Sequence, residues 1–132
     1  MTLSRPRVIP VRKGQVRPTG SWLYVWVEVG SGAVAYVGGT GFDPELRAYL
    51  HVASEDPRLG RVRASVPHYD DRDFDVLAFA LPEGVDRGHA REALIARLSA
   101  AGDDAADLRD VTDHIVQSLE DHRGTVSSET AY

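Results

Sequence analysis

Tyr24 and Tyr36 are the first side chains in this sequence whose placement suggests chemistry. They lie in two short segments of alternating character, 22–29 and 33–38, joined by Gly30-Ser31-Gly32. Leu23, Val25, Val27 and Val29 share one face of the first segment; Trp22, Tyr24, Trp26 and Glu28 share the other, which is the period of a strand. Strand, short turn and strand predict a β-hairpin. With Val29 opposite Ala33, Trp26 comes opposite Tyr36 and Tyr24 opposite Gly38, so the phenols are diagonal neighbours about 7–8 Å apart on one face. Gly38 contributes no side chain, which leaves open backbone beside Tyr24. Two phenols beside a gap on one face have the look of a site. Aromatic residues on a strand also simply pack, and spacing alone leaves both readings standing.

Three more residues extend the constellation. Asp43-Pro44 is a helix start, a capping carboxylate followed by a proline that lacks the N–H. The helix is expected over 44–53, with Leu46, Tyr49, Leu50 and Ala53 as its apolar stripe. Arg47 and His51, four residues apart, share a helical face. Read from the residues alone, Arg47 is placed for a surface ion pair with Asp43 at i−4. His51 would donate to a phosphate or act as an auxiliary acid, or else be a buried structural histidine. Glu92 lies on a later helix expected over 87–101, three residues after His89, and a lone His-x-x-Glu is too little to define a metal site. Asp70, Asp71, Asp73 and Asp75 lack the glycine and bidentate glutamate of a calcium loop. Gly38-Gly39-Thr40-Gly41 has no following Lys-Ser or Lys-Thr and is no P-loop.

The elements that must position these residues follow from pattern. A shorter element after Asp56-Pro57 reads as helix or strand. A third strand over 74–81, apolar on both faces apart from Asp75, is expected at the centre of the sheet. A last amphipathic helix over 104–122 has Leu108, Val111, Ile115 and Leu119 as its seam, with His114 and His122 expected in solvent, and 124–132 reads as a loose tail. The fold class is α+β: a three-stranded antiparallel sheet flanked by helices. The organisation is a basic arm over 1–20, a domain over 21–101, an acidic helix over 102–122 packed on it, and a tail over 123–132.

Composition narrows the function. Fifteen basic residues, fourteen of them arginine, stand against twenty acidic ones in 132 residues, for a net charge of −5. An acidic body argues against indiscriminate nucleic-acid binding. The first twenty residues, however, carry Arg5, Arg7, Arg12, Lys13 and Arg17 and no acid. Arg12 and Lys13 are the arm's candidate phosphate contacts. The absence of cysteine excludes disulfides, a thiol nucleophile and thiolate-bound metals. No apolar run reaches a membrane span and no signal peptide is evident, so a cytoplasmic protein with no membrane partner is expected.

Trp22-Leu23-Tyr24, eleven residues, then Tyr36-Val37-Gly38 resembles the signature of GIY-YIG nuclease domains. The resemblance spans roughly 21–101. It includes the Gly39-Thr40-Gly41 turn, Arg47 on the following helix and Glu92 on the helix after the third strand, in the order β-β-α-α-β-α. Where the family has its first glycine this chain has Trp22, and nothing after Glu92 resembles the family's Lys-Pro and Asn segment. The resemblance implies hydrolysis of phosphodiesters in DNA, with RNA as an alternative, assisted by one Mg²⁺ or Mn²⁺ held by Glu92. Tyr24 would orient or deprotonate the attacking water, Tyr36 would position water or phosphate, and Arg47 would neutralise charge on the phosphate. Gly38 and Thr40 are the expected substrate contacts beside them. The rival reading keeps the fold without hydrolysis: a module binding nucleic acid, or a protein partner or second copy through the last helix. The two part on whether Tyr24, Tyr36, Arg47 and Glu92 converge on one cleft.

Overall fold

The computed structural model describes residues 8, 11–16, 18, 20–99 and 108–130, with side chains up to 124. Two short strands, β1 (Val11–Arg12) and β2 (Gln15–Val16), pair as a hairpin within the arm. Lys13 and Gly14 both take positive φ, 53° and 78°, as a tight two-residue hairpin turn requires. Part of the basic arm thus folds back on itself.

The main sheet is antiparallel and three-stranded, in the order β4 (Val34–Thr40), β3 (Trp22–Glu28), β5 (Phe74–Ala80). The expected pairing of Trp26 with Tyr36 and Tyr24 with Gly38 is present. Toward the turn the register slips by one, Val27 facing Val34, and Glu28 N–H donates to the Ala33 carbonyl. The central strand is β3, whereas β5 lies at an edge. Its apolar character on both faces has another cause: helices cover both sides of the sheet, so even an edge strand packs twice. Leu77 and Phe79 join one core, Phe74 and Val76 the other.

One face of the sheet carries Leu23, Val25, Val27 and Val37. It packs against Ala90 and Leu94 of α3 (Arg87–Leu98) and against Leu108, Ile115 and Leu119 of the last helical segment. That seam therefore packs into the core of the chain itself. The last helix, α4, is assigned over Arg109–Thr130, longer than the pattern suggested; each residue added to an existing helix gains a hydrogen bond without a new nucleus. His122 Nε2 bonds Asp75 Oδ2 at 2.8 Å and Arg123 Nε donates to the Gly32 carbonyl at 2.7 Å, so α4 fastens both the edge strand and the hairpin turn. His122 is therefore half-buried and paired rather than solvated.

The other face carries Tyr24, Trp26 and Tyr36. It packs against α1 (Pro44–Ala53) and α2 (Arg61–Ser65) through Ala48, Val52, Val62 and Val66. The start of α1 follows the sequence expectation: Asp43 accepts from Glu45 N–H at 2.9 Å and Pro44 is the first helical residue. Its buried stripe does not. Leu46 and Tyr49 are 56% and 63% exposed, and the side facing the sheet is Ala48, His51 and Val52. The element after Asp56-Pro57 is a turn followed by the short helix α2, with Val62 fully buried.

Candidate phosphate-binding cleft

The outer edge of β4 is the floor of a cleft of about 650 Å³ that runs between the sheet's two helical layers. Tyr24, Tyr36, Gly38 and Gly39 come from the hairpin, Arg47 from α1 and Arg61 from α2. On the opposite side stand Asp86, Arg87, Gly88 and Arg91 at the start of α3. Tyr24, Tyr36 and Gly38 thus meet in one place, as the hairpin spacing suggested, and Arg47, placed there by the resemblance, lines the same cleft. Glu92 does not join them. It is exposed, and the α3 side chains that face the cleft are Arg87 and Arg91, four residues apart on one stripe. Thr40 is buried, its hydroxyl oxygen accepting from Phe42 N–H at 3.0 Å, and it does not line the cleft. Arg12 and Lys13 sit at the β1–β2 turn and do not line it either. The Trp22 indole lies over Gly20, clear of the cleft.

The glycines act differently from the open backbone expected of them. Tyr24 itself lies across Gly38: a Cβ there would collide with the phenol oxygen. At Gly39 a Cβ would stand 2.8 Å from Cγ of Arg87. One glycine seats the tyrosine and the next seats an arginine, so the gap in the strand is filled by the site's own side chains.

Behind the cleft His51 is completely buried. Three aromatic rings surround it, with centroids at 4.9 Å for Tyr36, 5.3 Å for Tyr24 and 5.5 Å for Trp26. Its Nε2 lies 2.6 Å from the Tyr24 hydroxyl, and Nδ1 has no hydrogen-bond partner. Burial, with help from the charges of Arg47 and Arg61, pushes its pKa down to about 4, so the ring is neutral at pH 7. A neutral imidazole has one N–H. With that proton on Nε2 the ring donates to the Tyr24 oxygen, Nδ1 is a bare lone pair, and the phenol proton is not taken up by the histidine. The opposite tautomer would strand an N–H donor in the core, the rarer and costlier outcome. Burial also pushes Tyr24 up to about 12, against the opposing pull of Arg47. Tyr24 is therefore a proton donor at neutral pH and is poorly suited to be a base.

The four arginines are anchored without being consumed. Arg47 Nη1 donates to the Leu59 carbonyl at 2.7 Å, rather than pairing with Asp43, whose carboxylate caps α1. Arg61 Nη1 reaches the Pro57 carbonyl at 3.5 Å, Arg87 Nη1 the Ser21 hydroxyl at 3.4 Å, and Arg91 Nε the Val37 carbonyl at 3.1 Å. A guanidinium has five N–H donors, so each retains several for a ligand. Among the described residues the single carboxylate on the lining, Asp86, already accepts from His89 N–H at 2.8 Å as the cap of α3. The lining has a local excess of three positive charges. This donor set does not fit a divalent cation, which needs carboxylate or other oxygen ligands; it fits an oxyanion.

Arg61, Arg87 and Arg91 escaped sequence reasoning. Arg87 and Arg91 carried a signal all the same, being one turn apart on a helix that begins with a capping aspartate. No family model, curated protein or solved structure matches this chain.

Proposed function

We propose that this protein is a GIY-YIG-like module that binds the phosphate backbone of nucleic acid in the β4-edge cleft, without metal-dependent strand cleavage. DNA is the expected partner, with RNA as the alternative. The observation that carries the reading is the lining itself: four guanidiniums and two phenols around one carboxylate that is occupied as a helix cap. Arg91 stands where a metal-binding glutamate would have to face the tyrosines. Guanidinium forks and protonated phenols supply donors to phosphate oxygens, and the neutral His51 holds the Tyr24 hydroxyl in a donating orientation.

Fluorescence anisotropy with a labelled DNA strand at low salt tests the reading, alongside incubation with Mn²⁺. Binding is expected, weakened about tenfold or more by Arg47→Ala and by Arg91→Ala, since hydrogen bonds to charged groups are worth ~1.5–3 kcal/mol. The strand is expected to stay intact with the metal present. Mn²⁺-dependent cleavage lost in Glu92→Gln would overturn the non-hydrolytic reading. Absence of salt-sensitive binding would overturn the nucleic-acid reading altogether.

A further inference from the structure

A second hollow, of about 390 Å³, continues along the same strand edge. It shares Tyr36 and Arg91 with the arginine cleft and is otherwise lined by Val34, Ala35, Val37, Ile95, Leu98 and Ser99. Here α3 has passed from its basic first turns to an apolar stretch, and Ile95 is 37% exposed. The edge from Gly39 to Val34 is about 17 Å long at ~3.3 Å per residue, so an anionic end and an apolar end lie within reach of one short ligand.

We propose that this groove receives an unpaired nucleobase, and so that the ligand of the cleft is single-stranded nucleic acid. The inference rests on the phosphate-binding reading above and names its ligand class. A strand with its phosphate among the four arginines presents the next base to the Tyr36–Arg91 junction. A phenol face and a guanidinium plane both stack on bases. Aliphatic side chains beyond them cover the rest of the ring. A base within a duplex is stacked and paired and cannot turn into such a groove without being flipped out. An extended peptide adding to the edge of β4 is disfavoured by a specific contact: Arg91 already occupies the Val37 carbonyl that an added strand would have to bond.

Anisotropy titrations of the full chain compare three probes of equal length: a single strand, the same strand with abasic sites throughout, and the duplex. The single strand is expected to bind about tenfold tighter than either of the others. Ile95→Gln, a change at a part-exposed position of similar size, should weaken single-strand binding about threefold, toward the abasic level, and leave abasic binding unchanged. Equal affinity for the single and abasic strands, or tighter binding of the duplex, would overturn the base groove while leaving the phosphate cleft intact. Failure to bind any of the three would overturn the parent reading and this one with it. A tyrosine-phosphorylated peptide that displaces the single strand at equal concentration would reassign the groove to a peptide and also overturn the proposal.

Discussion

His51 shows how one residue links the core to the cleft. Its ring fills the space between Tyr24, Trp26 and Tyr36, and its one polar partner is the Tyr24 hydroxyl. Because burial holds its folded-state pKa near 4 while an unfolded histidine titrates near ~6.5, acid favours the unfolded chain. The stabilisation is fully present above about pH 6.5 and is lost as pH falls toward 4, by about 3 kcal/mol in all. Urea unfolding of the wild type should lose about 2 kcal/mol more between pH 7.5 and 5.0 than unfolding of His51→Gln, whose amide does not titrate. Parallel pH profiles for the two proteins would mean that the ring is solvated and not buried against the tyrosines. The spacing of Arg47 and His51 had put both on one helical face, but not which way each turned: the arginine reaches the cleft, and the histidine supports it from behind.

At the scale of elements, the readable signals were those written in local hydrogen bonding and strict alternation. Asp43-Pro44 announced α1 because the cap is made within three residues. The β3–β4 register followed from a short turn and a period of two. The buried side of α1 was not readable in the same way. Leu46 and Tyr49 are more apolar than Ala48 and His51, yet the sheet's aromatic face selects the small residue and the imidazole that fit beneath its rings. The cleft's charge was hidden for a similar reason, since surface arginines are common and only the approach of α1, α2 and α3 to one strand edge gathers them. Asp86 belongs to both stories, capping α3 while standing as the lone carboxylate among the arginines in the described lining. Asp86→Asn keeps a side-chain oxygen for the His89 N–H, so unfolding stability should stay within about 0.5 kcal/mol of wild type. Removal of a negative charge from the lining should meanwhile tighten binding of a DNA strand several-fold in the anisotropy assay. Unchanged affinity with unchanged stability would show that phosphate does not approach the start of α3.

For the molecule as a whole, the question that the proposed function raises is how a chain of net charge −5 would hold a polyanion. Surface charges farther apart than a Debye length, about 8 Å in physiological salt, are largely screened from one another. A ligand in the cleft therefore feels mainly the local excess of three positive charges, and the acids of α4 contribute little except at low salt. Confinement of the basic contacts to one cleft would limit how many phosphates the protein could neutralise. Each phosphate neutralised on a single strand contributes about −0.7 to the slope of log affinity against log salt. Two to four contacts among Arg47, Arg61, Arg87 and Arg91 thus give a slope between about −1.5 and −3. Arg91→Ala should flatten it by about 0.7, while substitutions of Arg12 and Lys13, outside the cleft, should leave it unchanged. A slope steeper than about −5 would demand phosphates well beyond the β4 edge. The β1–β2 hairpin would then be a second contact surface, and a single short cleft would no longer account for the binding.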